Sequence, residues 1–222
     1  MSIRLSAAER RPLILQAALR EFSAAGFHAT SMNDIAAAGG ITKPVLYQHF
    51  ASKRALYLAL IDEVAASMLE AIGKATANAP DARAQTERGV IAYFEWMAVN
   101  RDAFVLLFGS GARRDEEFST AVRNVERLVT EAIAPLIDAG LDTEHQRRLA
   151  YALVGMSEGV SRHLISTGEA FDATLVGSQL ANFVWAGLRG VEPGRQLDGV
   201  VAAIGLEHGG HTVAHIAARV DR

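Results

Sequence analysis

Between Thr30 and Arg54 the chain is punctuated so closely that little local structure other than two short helices satisfies it. Ser31 stands three residues before Asp34, the spacing of a capping box: the hydroxyl accepts an orphan backbone N–H, and the carboxylate favours the positive end of a helix. A helix therefore starts there, with Ile35, Ala36 and Ala38 as its small apolar face. Gly39-Gly40 ends it, because glycine enters the left-handed region without steric penalty. Thr42 is the next cap, and Pro44 falls in a first turn, where its missing N–H removes no helix bond. Val45 and Leu46 face inward, leaving Lys43, Tyr47, Gln48 and His49 for solvent or a partner. Helix, glycine turn and helix make a helix-turn-helix, in which the start of the second helix reaches base edges in DNA.

The flanks fit this reading. Ser6-Ala-Ala-Glu9 is another capping box, opening a helix with Ile14, Ala18, Phe22 and Ala25 on one side and Gly26 at its end. Ser52 caps a following helix that carries Leu56, Leu60, Val64 and Leu69 toward Lys74 and forms the mechanical link to the rest of the chain. The run Ser31-Met32, Asp34-Ile35-Ala36, Gly40 to Tyr47, His49-Phe50, Ser52-Lys53 and Leu56-Tyr57 resembles the DNA-binding signature of TetR-family transcriptional regulators, over about Ile14 to Tyr57. Ser31, Thr42, Lys43, Pro44, Tyr47, His49 and Lys53 are the candidate DNA-contacting residues. Thr42, Lys43 and Pro44 are expected in the groove, with Tyr47 and His49 on phosphates and Lys53 gripping the backbone further out.

Charge supports a division of labour. The net charge is −3, yet residues 1–54 carry seven basic against three acidic side chains, +4, and the remainder carries −7. A basic module on an acidic body suits phosphate contact by one end only. Half of the 222 residues are hydrophobic, proline is sparse and no alternating strand pattern occurs, so the fold class is all-α. The absence of cysteine excludes disulfides, thiolate catalysis and cysteine-bound zinc. No segment has the ~18 apolar residues of a membrane span, and the first nine residues lack an apolar leader core; a cytoplasmic protein away from membranes is expected.

The expected organisation is a three-helix DNA-binding domain over 1–54, a larger helical effector-binding and dimerisation domain over 55–193, and an extension over 194–222. Helices are read at about 83–99, 115–139 with a kink near Pro135, from a capping box at Thr143-Glu-His-Gln146, and at 172–189. Tyr93, Phe94, Trp96, Met97, Phe104, Phe108, Phe118 and Met156 are the candidate lining of an apolar effector cavity, which the family resemblance implies. Arg101, Arg162 and His163 are candidate anchors for an acidic head group. Leu153, Val160, Leu164, Val176, Leu180 and Phe183, on the last two helices, are candidate dimer contacts, as the resemblance implies a four-helix bundle between two copies. Val154 to Leu188 loosely resembles the C-terminal domain of actinobacterial TetR regulators that sense long-chain acyl-CoA, which points to a fatty-acyl effector.

The function expected is thus a ligand-responsive homodimeric transcriptional regulator on a near-palindromic operator. An effector-independent architectural DNA binder is the alternative. An enzyme is disfavoured: no phosphate-binding glycine loop, H-E-x-x-H or G-x-S-x-G occurs, and no cofactor or metal is expected. His208, His211 and His215 have ligand-like spacing, but Gly209-Gly210 interrupts the helix that would align them.

Overall fold

A computed structural model describes residues 6–108, 116–137, 141–168 and 170–191. The helices among them are α1 (Ala7–Ala29), α2 (Met32–Ala38), α3 (Lys43–His49), α4 (Lys53–Thr76), α5 (Ala82–Val99), α6 (Arg101–Phe108), α7 (Glu116–Ile133), α8 (Thr143–Thr167) and α9 (Ala173–Arg189), with a 3-10 turn at Ala134–Leu136. The fold is all-α: α1–α3 form a small head, and α4–α9 a larger body. The 194–222 extension, the three spaced histidines and the loop at Gly109-Ser-Gly111 lie outside the described residues.

Caps set most boundaries. Ser6 and Glu9 exchange backbone-to-side-chain bonds of 2.7 and 3.3 Å, and Ser31 and Asp34 do the same at 2.8 and 3.2 Å. Ser52, Asp81 and Asp172 each accept from the backbone N–H three residues on, at 3.0, 2.8 and 3.0 Å. Such a cap contributes ~1 kcal/mol. Three expectations are corrected. The cap of α8 is Asp142, accepting from His145 N at 2.9 Å, and Gln146 turns back to donate to the Ile137 carbonyl. Thr42 precedes α3 but makes no side-chain cap bond. Helix α7 ends at Ile133, and Pro135 sits inside the 3-10 turn, because a proline in continued α-helix would leave a carbonyl one turn back without its donor.

Two glycines of the head take a positive φ. Gly40 takes φ 61° between α2 and α3, where a side chain would be strained. Gly26, at φ 78° and ψ 167°, breaks α1 and sets its last turn, Phe27–Ala29, at a new angle.

In the body, α4 and α5 run antiparallel: Thr76 lies beside Gly89, and Trp96 Nε1 donates to Ser67 Oγ at 3.1 Å. Helix α9 runs antiparallel along α5, with Gly177 against Ile91 and Thr174 Oγ1 donating to Glu95 Oε1 at 2.9 Å. A Cβ at Gly177 would stand 2.7 Å from Ile91 Cα, so only glycine permits this approach. One apolar core runs from Ile14, Phe22 and Leu46 of the head through Leu56, Tyr57 and Leu60 of α4 to Phe94, Phe104 and Phe118. A boundary at residue 54 therefore falls inside the first turn of α4, and head and body share their core.

Candidate nucleic-acid interface and effector cavity

The buried side of the reading unit is small: Met32, Ile35 and Ala36 of α2 and Leu46 of α3 face α1. Leu46 is fully buried, which fixes the rotation of α3 about its axis and turns Thr42, Lys43, Pro44, Tyr47 and Gln48 outward. Lys43 stands with its ammonium 6.0 Å from the Tyr47 ring centroid, so the two form one amphipathic projection at the exposed helix start. His49 is half-buried against Phe50. Ser31 is exposed, but its hydroxyl is held by Asp34, donating to Oδ2 at 2.7 Å.

Lys53 departs from expectation. Its ammonium donates to the carbonyls of Phe27 at 2.6 Å, Thr30 at 2.7 Å and His28 at 3.4 Å, and lies 4.4 Å from the Phe27 ring centroid. An ammonium has three donors, and here three carbonyls engage it. These acceptors converge because Gly26 redirects the end of α1. Rather than reaching out to a phosphate, Lys53 fastens the start of α4 to the end of α1.

Beside this junction Phe22, Phe27, Tyr57 and Phe118 form an aromatic cluster; Phe118 lies 4.7 Å from Phe27 and 4.3 Å from Tyr57, centroid to centroid. The Arg54 guanidinium covers Phe118 at 4.8 Å. Phe118 opens α7 and is thus buried at the head–body junction, away from any cavity.

The body encloses a cavity of about 480 Å³. Its walls are the far half of α4 (Met68 to Thr76), the first half of α5 (Ala82 to Tyr93), Phe108, α7 from Val125 to Ile133, Leu136 and Ile137, Leu153 to Glu158 of α8, and Trp185 to Val191. Of the aromatic candidates, Tyr93 and Phe108 line it. Phe94, Trp96, Met97 and Phe104 are spent in the core, and Met156 flanks α8 without reaching the cavity. Periodicity marks both core and cavity walls as apolar, so the aromatic pattern alone does not separate them. Leu153, expected at a dimer contact, is buried and lines the cavity instead.

The two ends of the cavity differ. Exposed Gly73, Leu136 and Arg189 border the end away from the head. The opposite end, among Met68, Tyr93, Phe108, Ser157 and Glu158, is closed and nearer the head. Here Glu158 is buried and pairs with Arg162 at 2.7 Å, while Ser157 donates to the Leu153 carbonyl. The hydroxyls of Tyr93 and Ser161 are buried with no hydrogen-bond partner. Burial raises the Tyr93 phenol far above its ordinary value; the neighbouring Ser161 hydroxyl opposes this in part, and the charges of Glu158, upward, and Arg162, downward, act more weakly. It is a neutral hydroxyl across the physiological range.

These polar wall residues were not anticipated. Helix α8 buries Ala150, Leu153, Ser157, Glu158 and Ser161, and only partly covers Met156, Val160 and Leu164. The recurring small residues Ala150, Ser157 and Ser161 were the available signal. Arg101 lies over the Phe171 ring at 5.8 Å, and His163 joins Arg162, Phe104 and Phe108 around a separate surface depression of about 370 Å³. None of the three expected head-group anchors lines the main cavity.

On the outer side of α8 and α9, Tyr151, Leu175 and Phe183 are exposed, Phe183 by 67%. Val160, Leu164, Val176 and Leu180 are half-covered by the chain's own core. A Cβ built on Gly155 or Gly159 meets nothing within 4 Å, so these glycines open a smooth strip on α8 that no element among the described residues occupies. No helix among the described residues is long and apolar enough to cross a membrane.

With this geometry in hand, comparison with known proteins is informative. Residues 14–60 match the family model of bacterial regulatory proteins of the tetR family, and residues 82–187 match that of the tetracyclin repressor-like C-terminal domain. The HTH-type transcriptional activator FasR of Mycolicibacterium smegmatis is 30% identical over 187 residues, covering 83% of this chain and 85% of its own. A TetR-like transcriptional regulator from Rhodococcus sp. RHA1 superposes with a TM-score of 0.71 at 29% identity, covering 85% of this chain and 100% of its own. FadR from Bacillus subtilis, in complex with stearoyl-CoA, shares the fold at a TM-score of 0.69 and 13% identity, with 82% of this chain and 99% of its own covered. The matched families and relatives are regulators of transcription, not enzymes, and the two family models between them span both the head and the body: this chain belongs to the TetR family of bacterial transcriptional regulators.

Proposed function

We propose that this regulator works as a homodimer on a near-palindromic operator in the cytoplasm, and that an apolar effector, a fatty-acyl chain or its coenzyme A thioester, changes its affinity for DNA. The supporting observation is the shared use of α4 and α7. Each lines the cavity with one part and enters the junction with the head through another, α4 by Lys53 and Tyr57 and α7 by Phe118. A ligand that spreads the cavity walls thereby shifts the element that carries the head. Tyr151, Leu175, Phe183 and the strip at Gly155 and Gly159 suit a second copy, packed as a four-helix bundle of α8 and α9 pairs.

In this reading Thr42, Lys43 and Pro44 enter the groove, Lys43 supplying base contact, while Tyr47 and His49 approach phosphates. The cavity favours it over an architectural binder, which has no use for a deep, largely apolar pocket. Acyl-CoA is the first effector to try because a neighbour of the same fold holds stearoyl-CoA. The test is selection of bound sites from random duplexes, followed by titration of the complex with stearoyl-CoA. A paired motif with half-sites about one DNA turn apart, ~34–36 Å or somewhat more, is expected, with affinity altered by the thioester. Enrichment of no paired motif would overturn the operator reading.

A further inference from the structure

Five polar residues are buried among the described residues, and three of them, Ser157, Glu158 and Ser161, lie on the inward side of α8. Buried hydroxyls are hydrogen-bonded as a rule, and an exception calls for an explanation. Ser157 and Glu158 have partners in the Leu153 carbonyl and Arg162. Tyr93 and Ser161 have no well-formed hydrogen bond; Ser161 stands beside Tyr93 at the seam of α5 and α8, and of the two only Tyr93 lines the deep end of the cavity. The remaining wall there is Met68, Val90, Phe108 and Val125, all apolar.

The sizes match a single chain. At about 30 Å³ per non-hydrogen atom, 480 Å³ holds on the order of 16 of them. The lining runs from Arg189 at the outer end to Tyr93 at the deep end. A charged head group belongs at the outer end, because a carboxylate carried inward would meet Glu158 in a low dielectric. A plain methyl terminus leaves the deep polar groups as they are. A neutral oxygen gives them a partner.

We propose that the deep end of the cavity recognises a neutral oxygen, a hydroxyl or keto group, carried on an apolar chain at the end remote from its head group. Tyr93 donates to that oxygen, and Ser161, behind it, donates to Tyr93. The proposal rests on the apolar-effector reading and narrows it to oxygenated chains.

The test compares tridecanoate with 12-hydroxydodecanoate, which have equal numbers of non-hydrogen atoms, each as free acid and as coenzyme A thioester, by calorimetry on the full chain. The hydroxylated chain is expected to bind about tenfold more tightly, since a site built to hydrogen-bond an oxygen discriminates against its absence. In the Tyr93→Phe/Ser161→Ala double variant the ratio should fall to about one while tridecanoate affinity stays within about threefold. Equal affinities in the unaltered protein, or a preference that survives the double variant, would overturn the proposal. If that variant fails to fold, each single variant must cut the ratio, and an unchanged ratio in both overturns it. If neither chain binds in either form, the acyl-effector reading itself falls; binding of both with equal affinity overturns the oxygen site alone.

Discussion

Three carbonyl oxygens surround the Lys53 ammonium, whereas Lys43 projects from an exposed helix start. The two lysines should therefore fail differently. Lys53→Ala strands the Phe27 and Thr30 carbonyls in a partly buried place, and is expected to destabilise the fold by about 1.5–3 kcal/mol. Lys43→Ala should leave the thermal midpoint unchanged while costing roughly 1–3 kcal/mol of discrimination between operator and random DNA. Thermal unfolding paired with binding to both duplexes separates the outcomes. Asp34 carries a different consequence. Its hydrogen bonds from the Ser31 side chain and backbone hold its carboxyl below the ordinary aspartate value. A group depressed in the folded state binds fewer protons than in the unfolded chain, so its contribution is full above the unfolded value and is lost as pH falls through the folded one. Asp34→Asn should lower the thermal midpoint at neutrality, leave it nearly unchanged at low pH, and so flatten the acid side of a plot of thermal midpoint against pH.

Among the elements, the contact of α5 with α9 is the least forgiving. Gly177→Ala places its Cβ 2.7 Å from the Cα of Ile91, backbone that has no rotamer to yield, and the helices must separate. A loss of roughly 1–3 kcal/mol is expected in denaturant unfolding, as for other overpacked sites. Gly40→Ala, forced to φ 61° in the turn of the reading unit, should cost about 1–2 kcal/mol. Elements of this kind were readable in the amino-acid order because their ends are chemical: Ser6, Ser31 and Ser52 cap helices as their spacing requires. At α8 the capping-box spacing pointed to Thr143, but Asp142 made the bond.

At the scale of the whole molecule the cavity and the junction are joined by side chains far apart in sequence, and this is where sequence reading stopped. An aromatic residue is equally apolar in a core, a cavity wall or a junction; Phe94, Tyr93 and Phe118 occupy one of each. Only the assembled packing distinguishes them. Phe118→Ala should then bind an acyl effector with little change while its DNA affinity responds less to that effector, since linkage requires a path both sites bias. An undiminished response, measured by titrating the DNA complex, would remove Phe118 from the path. The knot at Lys53 bears on how any such response is expressed. With the last turn of α1 and the first turn of α4 fastened across the Gly26 break, the joint behaves as a weld and not as a hinge. A displacement arriving along α4 therefore turns the three-helix head as one solid piece, so that the recognition surface keeps its shape and only its aim changes.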